Sequence, residues 1–116
     1  MDPDRRSVRR VPVARAADLA EGTMLMVQVD GTNILLVSQE GLYALQGSCS
    51  HEYFELDKGF LSAGSVTCAL HLSRFDLTDG EPLDPPAELP LVTFPVSIEG
   101  EDIVLELPEG DIPINE

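Results

Sequence analysis

Every cysteine and histidine of this chain falls into one of two short clusters. Cys49-Ser50-His51 comes first, and Cys68-Ala69-Leu70-His71 follows after a sixteen-residue spacer. Each cluster offers one thiolate and one imidazole. That is the ligand set of a four-coordinate metal site or of a binuclear iron–sulfur cluster. The bland alternative needs a free cysteine or a disulfide and two incidental histidines in the same two places, which chance rarely supplies. A single zinc would accept the set, although common zinc spacings pair Cys with Cys and His with His. A [2Fe–2S] cluster with two Cys on one iron and two His on the other also accepts it. Each loop then gives one ligand to each iron, so the loops must face each other like two fingers.

The rest of the chain reads as strands. Thr23–Val29 and Asn33–Ser38 flank Asp30-Gly31, a hairpin signal. Gln39-Glu40-Gly41 turns into Leu42–Gln46. Val92–Ile98 and Asp102–Leu107 flank Glu99-Gly100-Glu101, and Pro95 belongs at an edge or bulge because it has no N–H to donate. The one helical signal, Ala16–Glu21 before Gly22, is a turn or two long. Both clusters lie in the stretch 47–90, which is rich in Gly, Pro, Asp and Ser. The expected organisation is one all-β domain over 1–116. It has a basal framework at about 11–46 and 84–108, a cluster-binding subdomain at about 47–83, and loosely held tails.

Charge narrows the partners. The net charge is −14, but five arginines lie in the first fifteen residues: Arg5, Arg6, Arg9, Arg10 and Arg15. Residues 16–116 carry 19 acids against Lys58 and Arg74 alone. Such a body repels nucleic acid and anionic membrane and is steered towards basic protein surfaces. No apolar run approaches the ~20 residues of a membrane span. The paired arginines lack the apolar stretch of an export signal, so the start reads as a solvated tail and the chain as cytoplasmic.

C-x-H, a sixteen-residue spacer and C-x-x-H together resemble the signature of Rieske-type [2Fe–2S] ferredoxins. Arg74-Phe75-Asp76-Leu77-Thr78-Asp79-Gly80 is similar to the stretch after the second histidine in that family. Leu42-Tyr43-Ala44-Leu45, Pro86-Ala87, Leu89-Pro90-Leu91 and Phe94-Pro95-Val96 are similar as well, and the likeness spans roughly residues 11–108. The resemblance implies a Rieske-like fold, with small antiparallel sheets in a sandwich- or barrel-like base and a loop-rich cluster-binding tip. It implies that Cys49 and Cys68 hold the buried iron. His51 and His71 would hold the outer iron through Nδ1, with their Nε2 edges near solvent.

The same resemblance, to ferredoxin components of aromatic-ring-hydroxylating dioxygenase systems, implies a monomeric electron carrier. It would pass single electrons from an NAD(P)H-dependent flavin-containing ferredoxin reductase to a terminal oxygenase in aromatic compound degradation. Catalysis by the chain itself fails on arithmetic. An oxygenase site needs two His and a carboxylate on a second iron, and the cluster uses both histidines. A small Rieske subunit of another redox complex, such as a nitrite reductase, and a zinc-stabilised interaction module are the alternatives.

Departures from the family pattern are informative. High-potential respiratory members carry one extra cysteine in each loop, joined as a disulfide, where this chain has Tyr53 and Leu70. They match it at Ser73 but have Tyr at Phe75. Dioxygenase-type ferredoxins usually have Gly after the first His and small or polar residues after the second, where this chain has Glu52 and Leu72. Glu52, Tyr53 and Phe54 read as a docking rim or as core packing. Leu70 and Leu72 read as a solvent shield, and Asp84-Pro85-Pro86 as a rigid third loop or a plain turn. Gly59 and Gly64 are expected in turns, and Lys58 and Arg74 in structural ion pairs.

Overall fold

The computed structural model describes residues 8–50, 52 and 54–115. Ten strands appear in chain order: β1 Val8–Arg15, β2 Thr23–Val29, β3 Thr32–Ser38, β4 Leu42–Gln46, β5 Phe60–Ser62, β6 Ser65–Thr67, β7 Arg74–Asp76, β8 Thr93–Phe94, β9 Val96–Glu99 and β10 Asp102–Pro108. They form three antiparallel sheets, ordered β1-β10-β9, β2-β3-β4-β8 and β5-β6-β7. Among the described residues no helix is long and apolar enough to cross a membrane.

The apolar run Ile34-Leu35-Leu36-Val37 explains the layering. In a strand successive side chains point to opposite faces, so an unbroken apolar run needs cover on both. All four residues are fully buried. Leu35, Val37 and Leu45 face one core with Leu56, Val66, Phe75, Leu77 and both cysteines. Ile34, Leu36 and Ala44 face a second core with Phe94, Ile103, Leu105 and Leu107. The β2-β3-β4-β8 sheet is therefore the middle layer, between the β1-β10-β9 sheet and the subdomain that carries the clusters.

The turn chemistry follows the sequence. Asp30 and Gly31 both take positive φ, 50° and 81°, as a two-residue hairpin turn requires. β2 pairs β3 in continuous register from Thr23↔Ser38 to Val29↔Thr32. Pro95 lies at a corner. β8 before it pairs β4, and β9 after it pairs β10, so the chain changes sheets where the ladder lacks a donor.

Three expectations are corrected. The arginine-rich start is not a solvated tail from Val8 onward. β1 pairs with β10 along its length, with a bulge between Pro12 and Ala14. Pro12 is tolerated because β1 is an edge strand. Arg9 pairs with Asp30, Arg10 with Glu99 and Glu106, and Arg15 with Glu101 and Asp102. Arg5 and Arg6 lie outside the described residues. The helical signal at Ala16–Glu21 yields only the 3₁₀ turn Ala16–Asp18. Six residues are too few to repay helix nucleation, and the Ala16 N–H bonds Glu101 O instead, at 2.8 Å. The loop-rich stretch 47–90 carries the β5-β6-β7 sheet within it. The C-terminal segment is held: Ile112 packs on the second core, and Asn115 bonds Gln46 and Pro90.

Candidate metal centre

The two cysteine clusters occupy twin loops. β4 leads into the first, where the Cys49 N–H bonds Phe54 O at 2.9 Å. β6 leads into the second, where the Cys68 N–H bonds Ser73 O, also at 2.9 Å. Each loop is thus closed by a backbone bond from its cysteine to the residue five positions on. The second loop is tightened further by the Leu72 N–H to Cys68 O, at 2.9 Å. Leu72 takes φ of 61° to make that turn. A neighbouring glycine fixes the approach. A Cβ on Gly59 would lie 1.8 Å from Thr67 O, so only glycine lets the first loop's exit lie against the residue before Cys68. Gly59 serves this close approach rather than a positive-φ turn, whereas Gly64, at φ 76°, turns β5 into β6.

Cys49 and Cys68 are both buried and neither forms a disulfide. Burial pushes the Cys68 thiol pKa up, and the adjacent Cys49 thiol adds to the rise. The backbone N–H groups of Leu70 and His71 point at the Cys68 sulfur and pull the other way. Two thiols side by side in an apolar pocket are costly to ionise without a cation between them. N–H donors aimed at one of them suit a sulfur carrying negative charge. This donor set fits a thiolate-held iron. His71 is exposed on the same loop, three residues from Cys68. His51 and Tyr53 lie outside the described residues. The structure therefore brings Cys49 and Cys68 together and places His71 at the rim.

A third loop closes the side of the site. Asp84 takes a bidentate pair from Arg74, with Nε at 2.6 Å and Nη2 at 3.1 Å, and also accepts the Arg74 N–H at 3.2 Å. The Arg74 guanidinium holds the Asp84 carboxyl below its ordinary value. The Ala87 N–H donates to Ser73 Oγ at 3.3 Å, and Ser50 Oγ donates to Leu89 O at 2.5 Å. The segment Asp84–Leu91 is thereby tied to both cysteine loops, which decides for the rigid third loop over the plain turn. Lys58 pairs with Glu55, so both bases of the acidic body sit in ion pairs as expected.

Phe54 packs against the first core rather than forming a rim, and Phe75 is fully buried beside the cysteines. Leu70, Leu72, Leu83 and Leu89 are exposed. The sequence reading missed Gln46, whose buried side chain anchors the base of the first loop through a bond to Ser48 O. Its signal was an amide at the end of an apolar strand, where β alternation already placed a buried position.

Comparison with known proteins agrees with this geometry. Residues 9–95 match the Rieske [2Fe-2S] domain. The chain is 35% identical over 91 residues to the ferredoxin component of the naphthalene 1,2-dioxygenase system of Pseudomonas aeruginosa, covering 78% of this chain and 88% of that protein. It is 36% identical over 100 residues to the ferredoxin component of biphenyl 2,3-dioxygenase of Rhodococcus jostii strain RHA1, covering 84% and 92%. Its fold superposes with a TM-score of 0.78 on the ferredoxin of carbazole 1,9a-dioxygenase from Nocardioides aromaticivorans IC177, at 32% identity over 83% of this chain and 95% of that one.

Proposed function

The chain belongs to the Rieske [2Fe-2S] domain family, and from that premise we propose that it is the ferredoxin of an aromatic-ring-hydroxylating dioxygenase system. The observation that carries the reading is the pair of free, buried, adjacent thiols in twin loops with an exposed histidine beside one of them. The ferredoxin components among its relatives support the electron-transfer role.

Cys49 and Cys68 would hold the inner iron, and His51 and His71 the outer one. The cluster, when bound, takes up and releases one electron. The chain does the remaining work. The apolar core around the cysteines excludes water, which leaves the exposed His71 edge as the short path to a partner. The Leu70 and His71 N–H groups favour the more negative redox state by donating to sulfur. The twin loops and the third loop are held by fixed hydrogen bonds, so little rearrangement accompanies a change of charge.

Residues 47–83 form the cluster-binding subdomain of a single domain in this reading, and the unit works in the cytoplasm as a monomer. A flavin-containing, NAD(P)H-dependent reductase supplies the electron and a terminal oxygenase accepts it. Both meet the tip, where Leu70, His71, Leu72, Leu83 and Leu89 are exposed.

Metal analysis and spectroscopy test this directly. The purified protein should be red-brown, with about two irons and two labile sulfides per chain and the low average g of a histidine-ligated centre when reduced. His71→Ala should abolish that signal. Stoichiometric zinc without sulfide would overturn the assignment.

A further inference from the structure

Gln46 ends β4, and its side chain is fully buried. Its amide makes every hydrogen bond it can. Nε2 donates to Ser48 O at 2.9 Å and to Asn115 O at 2.6 Å. Oε1 accepts from the Val92 N–H at 2.8 Å and from the Asn115 N–H at 2.9 Å. Two donors and two lone pairs are thus all satisfied. The amide acts on Asn115 as a neighbouring strand would, bonding both its N–H and its C=O. Asn115 Nδ2 then reaches Pro90 O at 2.9 Å, and the Gln46 N–H bonds Val92 O at 2.8 Å. One side chain therefore joins three segments: the entry to the first cysteine loop, the end of the third loop, and the C-terminal segment.

We propose that residues 112–115 are a positioning strap, which acts through Gln46 to seat the third loop against the two cysteine loops and so sets water's access to the cluster. Leu89 O lies on Ser50 Oγ and Pro90 O on Asn115 Nδ2, so neighbouring carbonyls of the third loop are held from the site side and the strap side. Ile112 packs on the second core, which roots the strap in the base. Glu109, Gly110 and Asp111 before the strap are exposed, whereas Ile112, Ile114 and Asn115 are half-buried. The strap's far end is clipped to a buried amide that carries no charge.

The redox part of this inference rests on the cluster assignment above; the strap itself does not. Three variants separate the roles. A chain ending at Ile114 removes the two bonds that the Gln46 amide makes with the Asn115 backbone. Gln46→Glu keeps the shape but cannot donate to Ser48 O or Asn115 O while ionised. Asn115→Ala keeps the backbone clip and loses only the bond to Pro90.

Hydrogen exchange at the Ala87 and Val92 amides, iron release to EDTA and the midpoint potential are measured for each. A lost buried hydrogen bond shifts a local opening equilibrium by about tenfold. The truncated chain and Gln46→Glu should therefore exchange Ala87 and release iron about tenfold faster than wild type. Their potentials should rise, because water favours the more negative reduced centre. Asn115→Ala should lie between them and wild type. A lowered Tm with Ala87 exchange, iron release and potential all unchanged would reduce the strap to ordinary packing and overturn the proposal. Absence of the Rieske spectrum from wild-type protein would overturn the site assignment instead, and Ala87 exchange would still decide the strap.

Discussion

Leu72 is unfavourable twice over in the isolated protein. It is 62% exposed, and its φ of 61° is one that a leucine seldom adopts. The left-handed conformation costs a residue with a Cβ about 1–2 kcal/mol. Leu72→Gly removes that cost and adds about 0.5–1 kcal/mol of backbone entropy to the unfolded chain. The net change is about 0–1.5 kcal/mol on the stabilising side, so Tm should hold or rise by at most about 6 °C. Full burial of a leucine is worth about 1.5–3 kcal/mol. Burying the exposed 62% against a partner is therefore worth about 1–2 kcal/mol. Its loss should weaken association with the terminal oxygenase about five- to thirtyfold. Leu72→Ala is the control. It removes most of the same apolar surface but keeps the strain, so it should slow transfer to a similar degree without the gain in stability. Stopped-flow reduction of the oxygenase, with thermal unfolding of each variant, reads both quantities. Unchanged transfer from Leu72→Gly would refute the docking role of this residue. A marked fall in its Tm would refute the strain argument.

Three further outcomes are expected. The potential should fall in the lower Rieske range, roughly −150 to 0 mV. Phe75→Tyr should raise it by about 40 mV in redox titration, since one hydrogen bond to a ligand sulfur favours the reduced state by roughly 1 kcal/mol; no rise would mean that the hydroxyl does not reach sulfur. Electron transfer to the oxygenase should slow as salt shortens the screening length from ~10 Å at 0.1 M to ~3 Å at 1 M. Neutralising Glu52 and Glu55 should slow it more than neutralising Glu109 and Asp111, whereas rates flat in salt would favour purely apolar docking. Asp84 is held below its ordinary pKa of 3.8 by Arg74, and Asp76 by Thr78. A depressed folded pKa stabilises the protein above the unfolded value, and that contribution is lost as pH falls through the folded one. Asp84→Asn should therefore flatten the acid limb of the stability curve below about pH 4; a limb as steep as wild type would show that the pair contributes nothing.

What the sequence disclosed depended on how local the signal was. Asp30-Gly31 and the run Ile34–Val37 dictate a turn and a strand buried on both faces by backbone sterics and side-chain alternation alone. The spacing of Cys49, His51, Cys68 and His71 likewise needed no tertiary information. β1 was not legible, because Arg9, Arg10 and Arg15 look solvated until the acids of β10 and its hairpin lie opposite them. Their partners are more than eighty residues away in sequence for Arg10 and Arg15. The partners of Gln46 were hidden for a related reason: the Asn115 backbone that completes its bonds is 69 residues on. The third loop's ties from Ser50 and Ser73 are also long-range, and serine gives no sign of which carbonyl or N–H it will meet.

The placement of β1 also redraws the electrostatics. Read as a tail, the arginines would form a detached positive arm beside a uniformly acidic body. In the fold, Arg9, Arg10 and Arg15 offset part of the charge of Asp30, Glu99, Glu101, Asp102 and Glu106 on the base sheet and its neighbouring hairpin turn. The pairs of Arg10 and Arg15 are exposed, so each adds little stability, in the range of about 0–1 kcal/mol. Their larger effect is on the field. The base still keeps more acids than arginines, and residues 47–91, with eight acids against Lys58 and Arg74, extend the negative potential around the cysteine loops. A basic partner drawn to the acids of residues 47–91 would meet the end that carries His71 and Leu72. Long-range attraction then brings the partner to the tip, and the exposed leucines supply the short-range contact that a brief redox encounter needs.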